Sequence, residues 1–247
     1  MTDLAFLVIA AATFLLAGTV KGVIGLGLPT VCLGLLTVAA DLTTAMALLL
    51  VPSFVTNLWQ ACVGGFGIAL IKRLWPFFLA ATLAVFIGGQ ALDAAHLDTL
   101  SAILGCLLVA YSVLGLAGAR MSLAGRAEFW GGLVFGKING IFTGLTGSFV
   151  VPGVFYLQSI GLQRDQLIQA MGILFTLSTA ALAVSLQRND LLSSELGMMS
   201  LAGLIPAAAG MVLGQKVRRQ LSEPVFRKVF FAALFLLGLY IFASAVL

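Results

Sequence analysis

Charge is scarce in this chain. Asp, Glu, Lys and Arg make up 9% of its 247 residues and hydrophobic residues 61%, whereas soluble domains carry roughly 25% charged residues. That balance excludes an ordinary water-soluble fold. Histidine occurs once, at His96, and leaves little for acid–base catalysis. Neither H-E-x-x-H nor G-x-S-x-G occurs, so the familiar protease and esterase signatures are missing. G-x-x-x-x-G-K-[ST] is missing too, which removes a nucleotide-binding loop as a source of energy. The three cysteines, Cys32, Cys62 and Cys106, stand singly in apolar segments without metal-ligand spacing and read as small buried side chains. The N-terminal stretch MTDLAFLVIAAATF has no basic leader and no small-residue cleavage site, so a retained first helix is expected rather than a signal peptide.

What remains is apolar sequence of helical length. Mean hydropathy is +1.15, and the apolar runs approach or exceed the roughly 20 residues that cross a bilayer as a helix. They define an all-α polytopic membrane protein of about ten helical segments. The segments are expected at Leu4–Val23, Leu28–Ala40, Thr43–Val63, Leu74–Leu92, Leu97–Ala117, Phe129–Leu145, Phe149–Ile160, Gln166–Leu186, Leu196–Leu213 and Val225–Val246. The second and seventh are short. At about 12 or 13 residues they rise only about 18–20 Å, against a hydrocarbon core of roughly 30 Å.

The net charge of +4 belongs to loops and is not a sign of nucleic-acid binding. Lys72, Arg73, Arg120, Arg126, Arg164, Lys216, Arg218, Arg219, Arg227 and Lys228 fall on one side of the ten-segment topology, which the positive-inside rule makes the cytoplasm. Asp93, His96 and Asp98 fall on the other, as do Arg188, Asp190 and Glu195. Both termini are then expected in the periplasm of a bacterial cytoplasmic membrane.

Two glycine-rich breaks interrupt the apolar pattern, GTVKGVIGLGLP from Gly18 to Pro29 and GKINGIFTGLTGSFVVP from Gly136 to Pro152. Backbone that leaves the helix inside lipid must be buried in protein or line a watery cavity. A matched pair of such breaks in two halves of a membrane chain points to a transporter's binding site. Each half also has an Asp followed by Ala-Met, at Asp41 with Ala45-Met46 and at Asp165 with Ala170-Met171. Five segments per half invert the second half relative to the first. The expected architecture is therefore two inverted repeats, residues 1–118 and 129–247, joined by a cytoplasmic linker at 119–128, with the broken helices at the repeat interface.

These stretches resemble the TauE/SafE family of sulfite exporters. The likeness lies in Gly22–Pro29 and Gly140–Pro152, and in the polar-flecked helices from Asp41 through Asn57 and from Asp165 through Ser178. The resemblance implies secondary transport of a small sulfur-containing or organic anion, such as sulfite or sulfoacetate. The first break departs from the glycine-richer family pattern at Leu26 and Leu28.

The residues suggest where an anion would bind. Lys21 lies beside Gly22, and Asn139 holds the corresponding place beside Gly140. An intramembrane ammonium faces a cavity or a partner, or else snorkels to headgroups, and both readings of Lys21 are open. Lys137 poses the same choice. Gly25, Gly27, Gly144 and Gly147 allow close backbone approach, and the N-termini of the two short segments carry partial positive charge. Thr143, Thr146, Ser148 and Asn57 add polar contacts, as do Thr56 and Gln60 in the third segment and Gln169, Thr176, Ser178 and Thr179 in the eighth. The same glycines serve equally well for tight helix contact, and the same polar residues for interhelical hydrogen bonds. Substrate is expected between the two breaks. The expected partners are the small anion, the bilayer and a coupling ion, proton or sodium, with no cofactor, metal or nucleic acid. Oligomeric state does not follow from the sequence. A membrane scaffold without transport, or less plausibly an intramembrane enzyme, is the alternative.

Overall fold

The computed structural model describes residues 4–92, 96–118, 122–218 and 222–247. Eleven helices and no strands occur among them. They are α1 (Leu4–Ile24), α2 (Leu28–Ala39), α3 (Leu42–Leu48), α4 (Leu50–Cys62), α5 (Gly67–Gly89), α6 (Leu97–Ala117), α7 (Arg126–Thr146), α8 (Gly153–Ser159), α9 (Arg164–Arg188), α10 (Ser194–Val217) and α11 (Glu223–Val246). Among the described residues, six helices are long and apolar enough to cross a membrane, or seven if α3 and α4 form one bent span. Neither α2 nor α8 is among them, so the two short segments are short in the fold as well. Their breaks lie at residues 25–27 and 147–152.

Three boundaries differ from the sequence reading. The expected third segment breaks at Leu49, and α3 and α4 meet there at 46°. Pro52 explains the bend: it has no N–H to return to Leu48, four residues earlier, and its ring crowds that carbonyl. Ser200 of α10 repairs the break, its hydroxyl donating to Leu48 O at 2.8 Å and accepting from Val51 N at 3.0 Å. Next, α5 begins at Gly67 rather than near Leu74, so Lys72 and Arg73 lie within a helix instead of a loop. Third, α8 is only seven residues long. Asp93, Arg120 and Arg219, used above for sidedness, lie outside the described residues.

The chain forms two compact units. One comprises Met1–Pro52, His96–Gly118 and Leu192–Leu247, and the other Ser53–Ala95 and Ala119–Leu191. Each draws helices from both ends of the sequence. In the first unit α1 packs on α10, and α6 on α11. Glycines set both approaches. A methyl group on Gly18 would lie 2.1 Å from Ala207 O, one on Gly210 2.1 Å from Leu15 O, and one on Gly214 2.1 Å from Thr19 O. At the second pair, Gly105 would meet Gly238 O at 2.7 Å. Asp41 caps α3, its carboxylate accepting from Thr44 N at 2.8 Å and from the Thr43 and Thr44 hydroxyls at 2.6 Å each.

In the second unit α5 packs on α7 and α9, while α8 nestles against α7 and α9. Three glycines one turn apart on α7 face three carbonyls one turn apart on α5. Methyl groups on Gly136, Gly140 and Gly144 would approach Phe77 O, Ala81 O and Val85 O to 2.6, 2.2 and 2.1 Å. Such small-residue seams drive helix association where lipid supplies no hydrophobic force between helices. Polar links complete the unit. Arg73 and Glu128 pair through two bonds, of 2.7 and 2.9 Å, and Arg73 also donates to Ile160 O. Gln60 donates to Ile168 O, while Gln169 donates to Ala61 O and accepts from Phe66 N.

Candidate functional site

The two breaks fall in different units. In the first unit, α1 ends at Ile24, and the chain turns through Gly25 and Gly27 before α2 starts at Leu28. Both glycines are left-handed, with φ of 79° and 105°, a conformation that side-chain-bearing residues rarely adopt. Space is equally restrictive at Gly27, where a methyl would meet Val20 and the Phe230 ring at 3.0 and 3.2 Å. Pro29 then sits in the first turn of α2, where its missing N–H is harmless. Lys21 occupies the last turn of α1 and is 4% exposed. Its side chain is therefore enclosed by protein rather than extended to the surface. An ammonium near a helix C-terminus complements the dipole there. Gly22 faces away into the α1–α10 seam, against Met211 O.

In the second unit, α7 ends at Thr146 and Gly147 turns left-handed with φ 71°. Thr143 and Thr146 organise the unwound stretch. The Thr143 hydroxyl lies 2.8 Å from Asn139 O and 3.0 Å from Ser148 O, and Thr146 Oγ1 donates to Phe142 O and receives Ser148 N at 3.3 Å. Their hydrogen-bonding capacity goes largely to backbone. Ser148 is itself buried. Asn139 is fully buried, and its Oδ1 accepts Gly153 N at 2.9 Å, tying α8 to the middle of α7. Asn139 Nδ2 has no hydrogen-bond partner. An amide donor buried without an acceptor costs about 1–3 kcal/mol, so this N–H₂ is the open donor of the second break.

The start of α8 offers less than the sequence suggests. Gly153 N is taken by Asn139, Val154 N by Val150 O and Tyr156 N by Pro152 O. Gly140 and Gly144 face the α5 backbone. The second unit thus brings together Asn139, Thr143, Thr146, Gly147 and Ser148, with Gly140 and Gly144 on the packing face of the same helix. Asn57 of α4 is fully buried in this unit, and so is the Ser178 hydroxyl, which has no partner. Lys21, Gly22, Gly25 and Gly27 belong to the first unit.

Three contributors escaped the sequence reading. Gly153 matters because a methyl there would press on Asn139 Oδ1 at 2.7 Å, and its position just after Pro152 was a usable signal. Ser53 is buried with an unpartnered hydroxyl. Ser200 repairs the α3–α4 break, and only Pro52 in the sequence hints that a repair is needed. A cavity of about 240 Å³ lies between Arg73, Glu128, Phe129 and Tyr156, three turns along α7 from Asn139, and does not coincide with the break.

A family model described as Sulfite exporter TauE/SafE matches residues 10–241. No curated protein and no solved structure matches the chain.

Proposed function

The chain belongs to the sulfite exporter TauE/SafE family, and from that premise we propose that it exports a small anion, sulfite or an organosulfonate, across the bacterial cytoplasmic membrane. One observation carries this reading: the family match runs from residue 10 to residue 241 and so takes in both broken helices. The geometry supports it. The first break has a protein-enclosed ammonium at Lys21, and the second has an unpartnered amide donor at Asn139. An anion stripped of water needs such donors to replace its hydration. Without a nucleotide-binding loop, transport is secondary, driven by the membrane potential or by a proton or sodium gradient.

Helix pairing supports the duplicated architecture. If α1 corresponds to α7 and α10 to α5, then α1 on α10 and α7 on α5 are the same contact made twice, once in each unit. That is the pattern expected of repeats that exchange helices. In the inverted arrangement both termini face the periplasm.

Efflux of sulfite from proteoliposomes tests the proposal. Purified protein should release sulfite faster than protein-free vesicles, and a scaffold would not. Charge-assisted hydrogen bonds contribute roughly 1.5–3 kcal/mol, so Lys21→Met should weaken apparent affinity about 10-fold or more, and Asn139→Ala less. If no sulfite or sulfonate moves, the transport reading fails. If Lys21→Met transports like the parent, Lys21 is only a counter-charge for the end of α1.

A further inference from the structure

We propose that the cavity between the end of α6 and the start of α11 binds the headgroup of an anionic phospholipid. The cavity measures about 300 Å³ and is lined by Gly115, Leu116, Pro224, Arg227, Lys228 and Phe231, all within the first unit. That volume is at the lower end for small-molecule sites, suited to a headgroup rather than to a whole lipid. Among the described residues, both charged groups in its lining are cationic.

Packing holds one of those charges in place. Gly115 has no side chain, and a methyl there would lie within 2.4–2.7 Å of the Phe231 ring, so the glycine seats that ring against α6. Tyr111, one turn earlier on α6, meets the same ring edge-on at 5.1 Å between centroids. The Arg227 guanidinium then lies over Phe231, 5.9 Å from its centroid. Its position is therefore set by a glycine, two aromatics and a cation–π contact. Lys228, the next residue, adds a second cation.

The location selects a lipid rather than a soluble anion. α6 and α11 both qualify as membrane spans, and the cavity lies where one ends and the other begins, at a bilayer boundary. Apolar side chains near it on both spans are exposed: Val113 and Leu116 on α6, Val225 and Val229 on α11. A headgroup in the cavity would leave its acyl chains against this surface. A free phosphate or sulfite would gain the cations without that contact. Basic pockets between spans are established headgroup sites in membrane proteins generally. None of its lining residues belongs to either helix break, and the proposal does not depend on what is transported.

Native mass spectrometry of the full chain in neutral detergent tests this, with phosphatidylglycerol and phosphatidylcholine of matched acyl chains as probes. Phosphatidylglycerol should bind in preference. Arg227→Gln and Lys228→Gln should each weaken its binding about five-fold, Arg227→Lys should retain most of it, and phosphatidylcholine binding should not change. Thermal melts of the same variants without lipid should stay within about 4 °C of the parent, since both side chains are exposed and Arg227→Gln loses only an exposed cation–π contact. A double Arg227→Gln/Lys228→Gln variant that keeps the parent's preference overturns the proposal. So does inorganic phosphate or sulfite that competes with phosphatidylglycerol at equal concentration, because the cavity would then be a free-anion site.

Discussion

Substituting Gly144 by alanine separates packing from binding at the second break. The added methyl would lie 2.1 Å from Val85 O and 2.6 Å from Gly89 N, both backbone atoms that no rotamer change can move. Restoring ordinary contact requires α5 and α7 to part locally by about 1 Å or more. Overpacking of this kind costs about 1–3 kcal/mol. For a protein of this size each kcal/mol shifts the melting temperature by roughly 2–4 °C, so a mid-range penalty lowers it by about 4–8 °C. Gly197 on α10 is the control, because a methyl there meets nothing within 4 Å. The assay is thermal unfolding of purified protein in one detergent, with Gly144→Ala, Gly197→Ala and the parent side by side. Gly197→Ala should melt at or slightly above the parent, since alanine is the better helix former. A Gly144→Ala variant that melts like the parent but loses anion binding would refute the packing assignment and return Gly144 to the binding site.

Three further outcomes are expected. Gln169→Leu removes bonds to Ala61 O and Phe66 N and should destabilise by about 1–3 kcal/mol in denaturant titration, leaving these backbone groups unpaired. Asp41→Ala removes the α3 cap and should cost about 0.5–2 kcal/mol at neutral pH. Burial pushes the Asp41 carboxyl up, but the hydrogen bonds from Thr43 and Thr44 outweigh it and hold it below its ordinary value. The cap's contribution is therefore complete above the usual carboxylate range near pH 4 and fades as pH falls through the lowered value. Melts of parent and variant should accordingly converge in acid. Finally, in a cysteine-free background, an impermeant thiol reagent applied to intact cells should label His96→Cys and spare Ala124→Cys. The reverse pattern would invert the topology.

Local chemistry made much of the fold legible in the sequence. Leu97–Ala117 coincides with α6, and the two short helices follow the two glycine–proline breaks, because hydrophobic run length and the backbone freedom of glycine act within a few residues. Asn139 was legible from its place beside Gly140 in the second break, matching Lys21 beside Gly22 in the first. Features that depend on a distant partner were not legible. Arg73 looked like a loop cation because nothing in its neighbourhood reveals that Glu128 pairs with it inside the second unit. Gly140 and Gly144 looked like places for a ligand to approach. Only the arrival of α5, with Ala81 O and Val85 O at the same one-turn spacing, makes them a helix seam.

The sequence by itself determined that this is a helical membrane protein, roughly where its helices begin and end, and where two of them break. Tertiary structure alone decided which helices pair, and therefore which glycines are occupied by a neighbouring backbone. It also decided that the Asn139 amide keeps an open donor. The physical reason is that a helix satisfies its own backbone within four residues, so its existence is a local property. The fate of a side chain depends instead on whatever surface folds against it, and that surface comes from another helix, α5 for Gly140 and Gly144 and α10 for Gly18.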